Sequence, residues 1–256
     1  GWPKFVSHLW MRPPRGGVAL IAYAPSSCTV RIYGVPVTLT MDTEYPFRGK
    51  ITLSIATERP VRFSLLLRIP NWARGATVTI NSSPAKPVTP GTFHEIDRRW
   101  LSNDTITIVL PMHAIVSRRY NSALAIERGP LVYSLKLGET WTRVNTDKPH
   151  RELPHGDFEV RPTTPWNYGL IVDETHPDST IKFIERPVGE KPFSPEGAGV
   201  IAKVDGRQLR SWKLVHGWAG EIPPEPQQSR EPIENLELIP YGCTNIRVTE
   251  FPRLAT

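Results

Sequence analysis

The chain has 256 residues with 27 Pro, 18 Gly, eight Trp and two Cys, and a formal net charge of +6. That length allows one large domain or two smaller ones, and no apolar run approaches the roughly 18 residues needed to cross a bilayer. The positive charge is dispersed, with Arg98-Arg99 and Arg118-Arg119 as pairs rather than a run, so neither nucleic acid nor a membrane is an expected partner.

Gly1-Trp-Pro-Lys-Phe5 opens with Pro at a position suited to a first helical turn. Trp2, Phe5, Val6, Leu9 and Trp10 recur at three- and four-residue steps, which predicts one amphipathic helix reaching to the Arg12-Pro-Pro-Arg-Gly-Gly17 break. A single helix ahead of β-type sequence has nothing of its own kind to pack on. It reads as the last helix of a helical domain lying upstream, or as a cap on one end of the β-domain. From Gly17 the period changes. Strands are predicted over residues 17–23, 27–33, 36–41, 51–55, 61–69, 76–80, 92–97 and 105–110. Ile51, Leu53 and Ile55 alternate with polar residues, as do Val61, Phe63, Leu65, Leu67 and Ile69, so each sheet should bury one face. Short strands with regularly spaced turn signals point to a β-sandwich.

Leu124-Ala-Ile-Glu-Arg-Gly-Pro-Leu-Val-Tyr-Ser-Leu135 reads as one kinked or bulged strand broken by Gly129-Pro130, and as the seam between two β-domains. Beyond it, residues 141–161 look polar and loop-like. Strands are predicted over 166–172, 180–184, 199–204 and 210–215, and residues 219–232 form a Pro-rich surface loop. Residues 234–239 and 244–251 should pair around Pro240-Tyr-Gly-Cys243. The domain layout is therefore residues 1–16 as the helix, 17–123 as a first β-sandwich and 124–256 as a second with long Pro-rich loops. The fold class is all-β, two antiparallel β-sandwich domains preceded by one helix.

Residues with chemical potential are scattered. His8, His94, His113, His150, His155, His176 and His216 show no metal-ligand spacing and read as structural or surface histidines. Glu95 and Asp97 share one face of a strand, and paired carboxylates can carry glycoside hydrolysis. Beside Arg98-Arg99 they read more simply as solvated ion pairs, and Asp173-Glu174 reads the same way. Glu127 and Arg128 read as a structural charge pair. Cys28 and Cys243 lack CxxC spacing and cannot alone build a Cys-rich metal site; they read as two buried thiols, with a disulfide between them left open. Asn81-Ser-Ser and Asn103-Asp-Thr match the glycosylation sequon. No catalytic constellation emerges. Trp72, Trp141, Trp166 and Trp218 are candidates for stacking on sugars, against core packing as the plainer use of tryptophan.

Several blocks in order carry a family resemblance: Gly1-Trp-Pro-Lys-Phe5 with Ser7-His-Leu-Trp-Met11, Tyr45-Pro-Phe-Arg-Gly-Lys50, Leu67-Arg-Ile-Pro-Asn-Trp72, Ile126-Glu-Arg-Gly-Pro-Leu-Val-Tyr133, Trp166-Asn-Tyr-Gly-Leu170, and Leu238-Ile-Pro-Tyr-Gly-Cys-Thr-Asn-Ile-Arg-Val-Thr-Glu-Phe251. Together they resemble the non-catalytic C-terminal half of β-L-arabinofuranosidase-type enzymes, glycoside hydrolase family 127 and its relatives. The resemblance implies an N-terminal (α/α)6 barrel followed by two β-sandwiches. The active site of such enzymes lies in the barrel, with a zinc ion held by glutamate and cysteines, a cysteine nucleophile and a glutamate acid/base. Their reaction is retaining hydrolysis through a thioglycosyl intermediate, the zinc lowering the thiol pKa. It implies no catalytic, cofactor-binding or metal residue in this chain, and no cofactor apart from the zinc of the barrel. The implied partners are that barrel, a plant-type glycan and a second copy as a homodimer. The implied role is to pack on and support the barrel, with no glycosidase activity in the chain alone. A carbohydrate-binding module and a protein-interaction β-sandwich are the alternatives. Localisation stays open between cytoplasmic and secreted or periplasmic.

Overall fold

A computed structural model describes residues 1–255, apart from the side chain of Trp2. Nearly all regular structure is β, as the sequence predicts. The chain divides into two compact units, Gly1–His113 and Ala114–Thr256.

The first unit holds a short helix α1 (Trp2–Val6) and strands β1 (Trp10–Met11), β2 (Val18–Leu20), β3 (Ser26–Ile32), β4 (Val35–Thr43), β5 (Lys50–Thr57), β6 (Val61–Arg68), β7 (Thr77–Ile80), β8 (Lys86–Pro87), β9 (Phe93–Trp100) and β10 (Thr105–Val109). They form a four-stranded sheet in the order β1-β2-β6-β9 and a six-stranded sheet in the order β3-β4-β5-β10-β7-β8. Only β2 and β6 run parallel among the paired strands described. The alternation seen in the sequence places Val61, Phe63, Leu65 and Leu67 of β6 and Leu39, Met41, Leu53 and Ile55 of β4 and β5 in one shared apolar core. The polar face of the second sheet carries a hydroxyl ladder: Thr29 Oγ1 and Thr38 Oγ1 are 2.9 Å apart, and Ser27 Oγ and Thr40 Oγ1 3.3 Å. Trp100 is fully buried and its indole N–H donates to Phe63 O at 3.0 Å.

The second unit contains β11 (Ala114–Arg118), β12 (Leu124–Arg128), β13 (Leu131–Leu135), β14 (Glu139–Val144), β15 (Asp157–Pro162), β16 (Tyr168–Ile171), β17 (Ile181–Glu185), β18 (Val200–Gln208), β19 (Leu214–Val215), β20 (Trp218–Ala219) and β21 (Glu234–Pro240). A seven-stranded sheet runs β11-β12-β13-β21-β18-β16, with β17 also on β18. The ribbons β14-β15 and β19-β20 stand apart from it.

The structure corrects several expectations. The N-terminal helix stops at Val6: backbone N–H groups of Ser7 and His8 close the last turn on Pro3 and Phe5 carbonyls, Leu9 is buried, and Trp10–Met11 pair with Leu20 and Ala19. The apolar spacing through Trp10 thus belongs partly to a sheet edge. The stretch 124–135 is a hairpin, not a kinked strand. Glu127 faces Val132 and Arg128 faces Leu131 in antiparallel register. Gly129 has φ 59°. A glycine with positive φ followed by Pro, whose ring fixes a negative one, is the sign pattern of a type II′ loop, which reverses the chain. The division between units falls upstream of Leu124, because β11 pairs with β12 along its whole length. Residues 139–162 contain β14 and β15 in place of the expected loop. Of residues 210–215, only Leu214–Val215 are in a strand. Residues 244–251 do not pair with β21, whose two edges are occupied by β13 and β18. They run instead to an isolated bridge between Phe251 and Leu124.

Candidate functional site

Side chains flagged by the sequence are dispersed by the fold. Glu95 and Asp97 are both exposed on β9, on one face as expected. Asp97 is taken by a two-pronged bond from Arg62, at 3.2 and 3.0 Å. That hydrogen bond holds the Asp97 carboxyl below the usual carboxylate range. Asp173 Oδ1 accepts the backbone N–H groups of Thr175 and His176, closing a turn, and these bonds lower its pKa. Glu174 instead reaches Arg118 at 2.7 Å. Glu127 and Arg128 do not pair with each other, because adjacent strand residues point to opposite faces. Glu127 binds Arg119 at 2.6 Å and Arg128 binds Glu185 at 2.9 Å.

Four charged groups form a network that sequence reasoning missed. Arg118 spans Glu174 and Glu225, and Arg253 approaches the same two carboxylates at 3.8 and 3.9 Å. The backbone N–H of Arg253 also donates to Glu225 at 2.8 Å. The network ties β11, two loops and the C-terminal segment together. Its members are up to 135 positions apart in the sequence (253 minus 118), so no local pattern announces it. A second cluster sets Lys136, Lys203 and Arg186 around Glu237.

In the first unit, Asn81 is not a free sequon. Its Nδ2 donates to Asp104 at 2.8 Å, and its Oδ1 accepts from Thr105 N at 2.8 Å. Asp104 is buried. Burial opposes its ionisation, yet hydrogen bonds from Asn81 and Leu101 and the charge of Arg98 outweigh that and leave its pKa lowered.

The cysteines are both free thiols, one in each unit. Cys243 is buried with Sγ 3.4 Å from Pro192 O, and burial pushes its pKa up to about 11. Burial also raises that of Cys28. Zinc ligation and nucleophilic attack call for the opposite, a stabilised thiolate. Among the described residues no three His, Cys, Asp or Glu side chains gather as a metal site. The chain's residues therefore do not fit the zinc–thiolate centre that the resemblance places in the barrel.

The four tryptophans separate into two kinds. Trp72 packs on the first core, and Trp166 meets Trp212 edge-on at 4.9 Å. Trp141 and Trp218 are 51% and 79% exposed. Trp141 is oriented by an indole N–H bond to Glu139 at 3.1 Å and by the edge of Phe158, 5.8 Å away. It borders a groove of about 590 Å³ with Lys136, Glu196 and Asn245. A larger concavity of about 620 Å³ lies in the first unit, lined by Arg12, Arg15, Arg31, Arg62 and Tyr33. Two carboxylates, Glu139 and Glu196, line the groove beside Trp141, and Glu139 is hydrogen-bonded to Trp141 and Asn245; the concavity of the first unit holds one, Asp97.

Residues 17–112 match the family model described as β-L-arabinofuranosidase, GH127 middle domain. That segment runs through β2–β10 and ends beside the boundary of the first unit. No curated protein matches the sequence. Among solved structures, a GH127 β-L-arabinofuranosidase from Geobacillus stearothermophilus T6 aligns with a TM-score of 0.61 and 21% identity, over 93% of this chain and 33% of that one. A protein described as a glycoside hydrolase aligns at 0.59 and 20%, over 97% and 37%. A GH127 β-arabinofuranosidase aligns at 0.53 and 17%, over 92% and 34%. The chain thus spans about a third of the length of the solved structures it matches. By sequence over residues 17–112 and by fold over nearly its whole length, the chain resembles the β-L-arabinofuranosidases of glycoside hydrolase family 127.

Proposed function

We propose that the chain is the non-catalytic β portion of a glycoside hydrolase acting on arabinofuranoside-containing glycans, and that it packs on and supports a helical catalytic barrel. The observation that carries this reading is the match of residues 17–112 to the GH127 middle domain, a segment holding a complete two-sheet core. The engagement of Asp97 and Glu127 in separate ion pairs and of Asp173 in a turn supports a structural use of these acids. In this reading the nucleophile, the acid/base and the zinc belong to the barrel, and this chain contributes rigidity. The test is hydrolysis of an aryl β-L-arabinofuranoside by the purified chain, with and without added zinc. No turnover is expected, and clear turnover overturns the reading.

A second reading is favoured by one observation. Trp141 is half exposed yet fixed on two sides by Glu139 and Phe158, which is how a sugar-stacking ring is presented. Titration with a neutral arabino-oligosaccharide decides between the two. A saturable fluorescence shift abolished by Trp141→Ala assigns glycan binding to this ribbon, and its absence leaves support of the barrel as the role.

A further inference from the structure

We infer that the first unit carries a binding site for a carboxylate-bearing oligosaccharide in the concavity beneath the loop of residues 12–17. Its lining holds four guanidinium groups, from Arg12, Arg15, Arg31 and Arg62, and one carboxylate, Asp97. Asp97 is already engaged by Arg62. Arg12 donates to the Arg31 carbonyl at 3.1 Å and Arg31 to the Gly34 carbonyl at 3.4 Å, which are neutral acceptors. Among the described residues, Arg12, Arg15 and Arg31 meet no carboxylate. In the second unit Arg118, Arg119, Arg128 and Arg210 each reach one, while Arg143 and Arg247 donate to neutral oxygens singly rather than as a group. Three guanidinium groups without a carboxylate partner are thus gathered around one concavity. A planar guanidinium fork matches a carboxylate with two parallel hydrogen bonds.

The loop that presents two of these arginines is held in place before any ligand arrives. Pro13 and Pro14 restrict its backbone. Gly17 sits at φ +87°, and a Cβ there would stand 2.2 Å from the Ser64 carbonyl oxygen of β6. Only glycine lets the loop press so closely on the strand. An ordered cationic loop binds with less loss of conformational freedom than a mobile one. Tyr33 supplies the second element. It lies at the tip of the β3–β4 hairpin with φ 48° and 85% of its surface exposed, on the rim of the same concavity. An exposed ring beside guanidinium groups suits a ligand with both an apolar sugar face and a carboxylate. The volume of about 620 Å³ fits a short oligosaccharide. Charge elsewhere on the chain is interspersed, so no basic track extends from the concavity along which a nucleic acid would lie.

The experiment is calorimetric titration of the whole chain with a galacturonate trisaccharide, a neutral arabinose trisaccharide, sodium sulfate and a single-stranded oligonucleotide, all at one ionic strength. Saturable binding of the galacturonate trisaccharide alone is expected. It should weaken about tenfold in the Arg12→Gln/Arg15→Gln double variant and weaken again as salt is raised. Tyr33→Ala should weaken it several-fold. All three positions are exposed, so melting temperatures should stay unchanged. The inference is overturned if the acidic sugar does not saturate, if the neutral sugar, sulfate or oligonucleotide binds as tightly, or if the variants bind like the parent chain. Because the readout is binding, it stands apart from the hydrolysis assay for the proposed function.

Discussion

The two units reach stability by different routes. In the first, strands alternate strictly: β4, β5 and β6 bury every second residue against a single core between two sheets. In the second, buried residues run consecutively, as in Leu124-Ala125-Ile126, Val200-Ile201-Ala202 and Leu238-Ile239-Pro240. A charged cluster around Glu225 fastens its loops, and one around Glu237 links β21 with β18 and the end of β13. A core built on alternation is tolerant of surface charge changes and intolerant of cavities. A unit tied by partly buried ion pairs should respond to salt and to loss of a single carboxylate.

The sharpest way to break the comparison is Trp100→Ala. It removes the largest fully buried side chain of the first unit and strands the Phe63 carbonyl that its indole N–H satisfies. A loss of about 3–5 kcal/mol is expected in denaturant unfolding, with lost amide protection confined to residues 1–113. Next in size is Glu225→Ala, which leaves Arg118 and Arg253 with Glu174 as their one shared carboxylate and frees the Arg253 backbone N–H. A loss of about 1–3 kcal/mol is expected, seen in the second unit by hydrogen exchange and reduced in high salt. If that loss were the same at every salt concentration, the charge network would not be what fastens those loops.

Gly129→Val tests the hairpin that replaced the expected bulge. At φ 59° a β-branched residue is strained, so the melting temperature should fall by an amount equivalent to about 1–2 kcal/mol. An unchanged melting temperature would contradict the turn. The smallest effect concerns acid. Asp104 has a lowered pKa in the folded chain, so its contribution is present above the unfolded carboxylate value of about 3.9 and is lost as pH falls through the folded one. Stability of the first unit should therefore drop below about pH 4, less steeply in Asp104→Asn. Parallel acid unfolding of the two chains would remove Asp104 from the account.

The same contrast explains what the sequence discloses. Strands of the first unit were legible because one face of each meets the core and the other meets water, so residues 51–55 and 61–69 carry a period of two. The ribbon β14-β15 was not legible. Both its faces are largely exposed, so Trp141, Arg143, Phe158 and Arg161 follow no apolar period. The hairpin at Gly129-Pro130 looks like a kink in sequence, because a Gly-Pro break marks a turn without stating whether the chain reverses. At the N-terminus, helical spacing extends past Val6, but pairing of Trp10–Met11 with β2 takes over. The scattering of acids was legible as ion pairs, whereas their partners were not. Glu127 chooses Arg119 over its neighbour Arg128 through strand geometry. Nor did the loop Arg12-Pro-Pro-Arg-Gly-Gly17 reveal in sequence that Arg31 and Arg62 would join it.

The central claim is that the first unit, whose residues 17–112 match the GH127 middle-domain model, is a complete β-domain with its own core. Expression of Gly1–His113 alone, followed by denaturant unfolding and amide hydrogen exchange, tests it most directly. A single cooperative transition is predicted, with protection retained in β4, β5, β6, β9 and β10. A chain that stays unfolded, or exchanges freely in those strands, would contradict it.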